Sequence, residues 1–550
     1  MSNTSFVVRT GTVLTDPLTS RPLRFVSFNI PSLHLNDDPQ FQLTTPWEQA
    51  DVLSSLSQLG GRVTRTYVLG VQTPEEETST ATTKHIIKAA NGTGAVLNER
   101  VMVGLDTAIA AASNAGIRII FPFIDRWEWW GGVESFVKLI NPSLPPSAFY
   151  SNPAVMGVFK SIISQIVLRN NTVSGILYRD DPTILAWETG NELELDGGRV
   201  PATWTQNVAA HLKSIDPNHL VMDGSFKHGW DGSVLNDPNI DLYSNHYYRH
   251  LSFSPGEWVG MGLLAGVFIA AIVLLCLTTC CPRRVKWVKT PPESYRHRKE
   301  TRFRQFLTIF IAFVLAGGAI GGIGGIIAHR IPNPRYGALS NSDAALVASH
   351  NKVFIAGEFG LASAASLTSV LQNVVDNQPA FAGALVWSLR GHCKSGGFYT
   401  HEEQHGYAAY HYPGLPANKA QGFPDDEQTI ITTVKSMAKD LATQTGYTIT
   451  PPRIPTAPTL IPSTISPTNI RWLGVPGAIS YDVARTSNVP VSSESAWTVV
   501  KAGVTDNVKC NTTIFVDAAA VGGTSYAYAV RARNEAGVGP LSDPMVVVAP

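Results

Sequence analysis

Apolar and polar positions fall into repeating blocks along most of this chain. Short apolar runs that close on polar residues alternate with longer stretches of helical spacing. The runs at 23–29, 61–69, 117–123, 184–187, 219–224, 240–248, 352–360 and 382–389 have the length and composition of buried strands. Residues 45–59, 100–115 and 203–215 between them carry apolar residues at three- and four-residue spacing and predict amphipathic helices. Eight strands in strand–helix alternation predict an α/β fold, a (β/α)8 TIM barrel.

The alternation breaks once. Residues 258–281 contain no charged side chain, and neither do residues 305–328. Each run exceeds the ~20 residues that cross a bilayer. Barrel helices are amphipathic, whereas these runs are apolar all round, so the pattern predicts a two-helix transmembrane hairpin inserted between strands six and seven. Gly262 and Gly266 on the first helix, with Gly317, Gly321 and Gly325 on the second, predict close helix approach. The connecting loop holds Arg283, Arg284, Lys286, Lys289, Arg296, Arg298, Lys299, Arg302 and Arg304 against Glu293 and Glu300. The positive-inside rule then puts the loop in the cytoplasm and the barrel outside or in a lumen. Cys276, Cys280 and Cys281 at the cytoplasmic end suit either palmitoylation or plain apolar packing. The sequons at Asn3, Asn91, Asn170 and Asn511 are compatible with the outside.

Residues 1–20 show no basic start followed by an apolar stretch. Either the first span exports what precedes it, or a leader lies ahead of this sequence, or the orientation is reversed. The hairpin leaves from the loop after strand six, on the face where barrels carry their chemistry, so the cleft is expected to open toward or beside the membrane.

The expected order is a barrel portion at 20–256, the hairpin at 257–330, the rest of the barrel at 331–447, a Pro/Thr/Ser linker at 448–467 and an all-β sandwich at 468–550. In the last region Trp472, Tyr481 to Arg485 and Tyr526 to Ser542 resemble a fibronectin type III domain, with a spacer role favoured over sugar binding. The formal net charge is zero, which gives no argument for a nucleic-acid partner. Five cysteines do not make a disulfide framework, and Cys393 and Cys510 fall in regions expected to be separate domains.

Two strand ends carry the candidate chemistry. The fourth run ends in Asn191-Glu192, and the seventh contains Gly357-Glu358-Phe359-Gly360, whose glycines leave room for a ligand. A retaining glycosidase needs such a pair: one carboxyl protonates the leaving oxygen while the other attacks the sugar, at a separation of ~5–5.5 Å. Arg65 within the second strand requires a buried partner. Trp127 follows the third strand among further aromatics, His246 and Tyr248 are two apart and share a face, and Trp387 ends the eighth strand.

Residues 169–192 and 357–360 resemble glycoside hydrolase family 5, above all its endo-β-1,4-mannanases, and the likeness covers residues 20–445 apart from the insertion. The resemblance implies that Glu192 is the acid/base, with a raised pKa while the site is loaded, and that Glu358 is the nucleophile. It implies that Arg65 and Asn191 hold sugar and carboxylates, that His246 and Tyr248 assist both glutamates, and that Trp127 and Trp387 contact the sugar. No metal or cofactor is expected.

Where mannanases have Ala-Asn-Glu-Pro-Arg, this chain has Gly190-Asn191-Glu192-Leu193-Glu194; where they have Asn-Asn-Trp, it has Asp125-Arg126-Trp127. These departures leave the chemistry in place and the choice of sugar open. The expected function is hydrolysis of mannan or a related β-linked polysaccharide or glycoconjugate by a membrane-held enzyme of unknown oligomeric state. The alternatives are a β-glucanase, a glycolipid glycosidase, or a non-catalytic surface protein that binds carbohydrate.

Overall fold

The eight apolar runs form one parallel sheet: β1 (Phe25–Phe28), β2 (Val63–Arg65), β3 (Arg118–Pro122), β4 (Ile184–Glu188), β5 (Leu220–Asp223), β6 (Leu242–Tyr247), β7 (Val353–Phe359) and β8 (Phe381–Val386). Each strand pairs with its sequence neighbour, and β8 returns to β1. The remaining seam closes where Ile30 N–H donates to the Arg65 carbonyl (3.0 Å) and the Thr64 hydroxyl donates to the Phe28 carbonyl (2.9 Å). The computed structural model describes residues 5–38, 41–76, 83–226, 229–248, 255–280, 294–331, 333–376, 380–403, 406–449, 451–462, 465–491 and 497–549.

The helices start and stop on local signals. Helix Pro46–Leu59 opens on a capping box, in which Thr45 accepts from Glu48 N–H and Glu48 accepts in return. It closes at Gly60, whose φ of 97° only glycine adopts without strain. Phe25, Ile120, Leu185, Met222, Leu242, Ile355 and Leu385 fill the barrel interior, each worth ~1.5–3 kcal/mol when buried. The same core takes in Val7, Leu14 and Leu23, because a three-stranded ladder (Val8–Thr10, Val13–Asp16, Arg21–Pro22) precedes the barrel. The sequence pattern did not predict that ladder.

The last 100 residues are all-β. Strands Ser480–Thr486, Thr498–Val504, Ser525–Asn534, Gly537–Val538 and Met545–Val548 form an antiparallel sheet. It shares an apolar core, including Trp472, Tyr481, Val483 and Tyr528, with the short ladder Thr459–Leu460/Trp472–Leu473.

This region is not held by a linker alone. Cys393, in the loop after β8, is disulfide-bonded to Cys510, which corrects the expectation that these two cysteines stand apart. Composition concealed the pair because the two residues are 117 apart in sequence. Barrel and C-terminal region together form one compact unit, residues 1–248 with 336–550.

Residues 249–335 form the second unit. Helices Pro255–Cys280 and Ser294–Arg330 contain two segments, Gly256–Leu277 and Phe306–Arg330, that are long and apolar enough to cross a membrane. Trp258, Leu263, Phe306 and Phe313 are each more than 60% exposed. Glu257 and Arg330 pair at 2.6 Å, tying the two ends of the hairpin.

The expected glycine contacts are not the ones that form. Gly262, Gly266, Gly317, Gly321 and Gly325 face open space, and it is Gly322 whose missing side chain admits Leu264. Cys276 is exposed. Cys281, Arg283, Arg284, Lys286, Lys289 and Glu293 lie outside the described residues, as do the side chains of Cys280 and of positions 294–304. Of the sequons, Asn3 also lies outside them, and Asn91, Asn170 and Asn511 are exposed.

Candidate active site

The C-terminal ends of the barrel strands gather every residue that the sequence singles out for the site. After β4 ends at Glu188, the chain bridges to its neighbours one residue at a time, Asn191 with Asp125 and Leu193 with Ser225. Between them Glu192 takes a φ of 50°, a left-handed conformation costly for a residue with a Cβ. The hydrogen bonds on either side hold it there: Asn191 N–H to the Ile124 carbonyl (2.7 Å) and Leu193 N–H to the Gly224 carbonyl (2.9 Å).

The Glu192 carboxylate accepts from the Trp127 indole N–H at 2.6 Å, and its other oxygen lies 2.9 Å from His246 Nδ1. Glu358, in β7, accepts from Arg65 Nη1 at 2.5 Å and from the Tyr248 hydroxyl at 2.8 Å. His246 Nδ1 is 3.5 Å from Glu358, so one ring nitrogen faces both carboxylates. A carboxylate oxygen of each glutamate and a ring nitrogen of His246 all lie within 4.8 Å of one another.

Burial holds the His246 imidazole at about 4, opposed by the Glu358 charge and reinforced by Arg65, so the ring is neutral near pH 7. Burial pushes the Glu358 carboxyl up, while His246 and Arg65 pull it back and Glu192 adds to the rise. Tyr248 is driven well above its ordinary value by burial and the neighbouring carboxylates, which keeps it a hydrogen-bond donor.

Arg65 is fully buried and serves three partners. Besides Glu358, its Nε donates to Glu188 (2.6 Å), and its Nη2 donates to Glu188 (3.2 Å) and to Asn191 Oδ1 (2.8 Å). Asn191 then donates to Asp125 at 2.9 Å. Glu188 was missed in the sequence because it ends an apolar run. The arginine in the second strand was the available signal, since one buried cation facing two carboxylates implies a second acid nearby. Burial raises the Glu188 carboxyl and the Arg65 charge opposes it.

Trp127 and Trp129 are 44% and 43% exposed, and while the Trp127 indole is tied to Glu192 the Trp129 indole donates to Asp125 at 2.8 Å. The Arg126 guanidinium lies over the Trp127 ring at 4.4 Å and pairs with Glu194. Trp387 donates its indole N–H to Glu403 at 2.8 Å, and the bond between Trp387 and Ser388 is cis. The glycines flanking Glu358 do not leave room for a ligand. A side chain at Gly357 would meet Ser244 and His246, and one at Gly360 would meet Trp387. They are small so that these neighbours can close on β7.

Among the described residues two clusters have the donors for a cation, Glu192/His246/Glu358 and Asp37/Asp38/His401. Arg65 already faces Glu358, and Arg390 faces Asp37 at 2.6 Å, so a guanidinium supplies the positive charge at each.

Residues 67–251 match the family model described as "GH family 5 beta-mannosidase-like". That stretch contains Trp127, Asn191, Glu192, His246 and Tyr248; Arg65, Glu358 and Trp387 lie outside it. Among its relatives, mannan endo-1,4-beta-mannosidase 1 of Oryza sativa subsp. japonica is 37% identical over 134 residues, 23% of this chain and 31% of that protein. Mannan endo-1,4-beta-mannosidase 4 of Solanum lycopersicum is 31% identical over 183 residues, 30% of this chain and 45% of that protein. The chain thus spans less than half the length of these relatives.

The solved endo-1,4-beta-mannanase from Rhizomucor miehei superposes with a TM-score of 0.50 at 20% identity, over 79% of this chain and 100% of that one. A family 5 mannosidase from the same organism gives 0.50 at 17% identity, over 81% and 100%. At that identity the likeness is one of fold. Residues 67–251 are thus similar to the GH5 mannosidase family model, and the barrel has the fold of the solved mannanases.

Proposed function

We propose that this protein is a retaining β-glycoside hydrolase, a mannan endo-1,4-β-mannosidase held at a membrane by its hairpin. The observation that carries the reading is that a carboxylate oxygen of Glu192 and one of Glu358 lie within 4.8 Å of each other beside His246, which supports the close carboxyl pair of a retaining enzyme (~5–5.5 Å) over the wide pair of an inverting one (~6.5–9.5 Å). In the first step Glu192 gives its proton to the glycosidic oxygen while Glu358 attacks the anomeric carbon, and the carbon–oxygen bond to the leaving sugar breaks. In the second, Glu192 takes a proton from water, whose oxygen displaces Glu358 and releases the sugar. Arg65 and Tyr248 favour the ionised nucleophile, His246 links the two carboxyls, Asn191 is oriented to meet the sugar, and Trp127 and Trp387 flank it. The plant relatives named as mannan endo-1,4-beta-mannosidases support mannan as substrate.

A second reading keeps the chemistry and changes the sugar to a β-glucan or glycolipid. It is favoured by the Arg126–Glu194 pair beside Trp127, where the leaving side of a substrate would lie. The disulfide supports an oxidising compartment, and so a barrel outside the cytoplasm. We read the C-terminal β-region as a fibronectin type III-like domain. The test is hydrolysis of β-1,4-mannan, β-glucan and glycolipid by detergent-solubilised protein beside Glu358→Gln. Mannan hydrolysis that is lost in the variant is expected. Equal activity in both proteins overturns the mechanism, and glucan or glycolipid turnover alone selects the second reading.

A further inference from the structure

We propose that residues 506–511 of the C-terminal region are part of the active-site scaffold: they grip the loop after β8 and so set Glu403, a positioning residue that holds the indole of Trp387. The grip consists of several independent contacts. Phe398 N–H donates to the Val508 carbonyl (2.9 Å), Cys510 N–H to the Phe398 carbonyl (3.0 Å), and Asn511 N–H to the Gly396 carbonyl (3.1 Å). The Cys393–Cys510 bond lies across the same segment, and Lys509 pairs with Glu402 at 2.7 Å. Behind it His392 sits fully buried between Asp51 of the barrel (2.9 Å) and Asp506 (3.3 Å). Those two carboxylates outweigh the burial and raise its pKa to about 10, so at neutral pH a cation bridges the two regions.

The gripped loop leads straight to the site. His401 and Glu403 follow Phe398 by three and five residues. Glu403 accepts the Trp387 indole N–H at 2.8 Å and is itself held by His401 Nε2 at 3.2 Å. The other side of His401 faces Asp38 and, at 3.8 Å, Asp37, which Arg390 neutralises. An indole free to swing loses the stacking geometry a sugar needs, whereas one whose N–H is tied to a fixed carboxylate keeps it. Backbone hydrogen bonds, charged clamp and disulfide on one short segment are more than a spacer requires. The effect on turnover rests on the sugar-contact reading of Trp387; the tie between Glu403 and the indole does not.

The experiment uses the full chain in detergent, labelled with 5-fluorotryptophan, with the Trp387 fluorine line assigned by its loss in Trp387→Phe. Glu403→Ala is expected to shift or broaden that line, and Glu403→Gln, which keeps an acceptor for the indole, to restore most of it. Reduction of the folded protein with dithiothreitol, or Cys510→Ser, is expected to broaden the same line, and either route serves if the other unfolds the chain. On mannan oligosaccharides Glu403→Ala is expected to lower kcat/KM by about tenfold or more, with partial rescue in Glu403→Gln. A Trp387 line unmoved by both Glu403→Ala and reduction overturns the proposal whatever the substrate. Wild-type protein inactive on mannan counts against the mannanase reading and leaves the fluorine result to decide this one.

Discussion

At the scale of single residues, the site is organised by one cation among acids. Arg65 is buried against Glu188 and Glu358, and its charge opposes the burial that pushes both carboxyls up. Removing one partner of a buried pair leaves the other uncompensated, which costs ~3–5 kcal/mol. Glu188→Gln is therefore expected to lower unfolding stability by about 3 kcal/mol and to weaken the hold on Asn191, measured by denaturant unfolding and by kcat. An unchanged midpoint would mean that Glu358 alone balances Arg65.

His246 gives a pH dependence of defined sign. Its folded value, about 4, lies below the ordinary 6.5, so between them the unfolded chain binds more protons than the native one. The stability it supports is complete above pH 6.5 and is lost as pH falls toward 4, with a ceiling of about 3 kcal/mol. Histidine proton shifts in the folded protein are expected to show His246 untitrated above pH 5.

At the scale of elements, the β4 end depends on a close approach. Gly224, just past β5, touches the backbone of Gly190, and any side chain there would collide with the Gly190 carbonyl. The Gly224 carbonyl also takes the Leu193 N–H, beside the bridge of Leu193 with Ser225 that follows Glu192. Gly224→Ala is expected to cut kcat/KM by about a hundredfold while shifting Tm by only a few degrees, because an error of ~1 Å at the acid is felt by the chemistry before the core. A loss of stability as large as the loss of activity would argue for general unfolding instead.

The strands themselves were legible in the sequence because buried parallel strands are short apolar runs, and their ends because Asn191, Glu192 and Glu358 interrupt those runs. Both glutamates and the His246/Tyr248 pair could be placed at one rim on that pattern alone. What stayed hidden depends on distance in the chain. Glu188 becomes meaningful only through Arg65, 123 positions away, and the loop after β8 only through Cys510 and Asp506. Apolar periodicity reports which face is buried, and it carries no information on which polar residues meet there.

At the scale of the whole molecule, the insertion divides the candidate site. Glu192 precedes residues 249–335 in sequence and Glu358 follows them, yet both end in one cluster within the unit formed by residues 1–248 and 336–550. A chain that crosses a bilayer within such an insertion must cross an even number of times, or the two parts of the barrel would lie on opposite sides. Two apolar segments among the described residues meet that condition, and Trp258, Leu263, Phe306 and Phe313 on them are exposed. Full-length protein is expected to stay in the membrane pellet after alkaline carbonate extraction. A variant with residues 257–330 replaced by a short Gly/Ser linker is expected to leave the pellet and keep the barrel's thermal transition, since the sheet makes its own closure. Carbonate release of the full-length chain would rule out spanning helices. Loss of the barrel transition in the linker variant would mean that the hairpin is needed for the two halves to find each other.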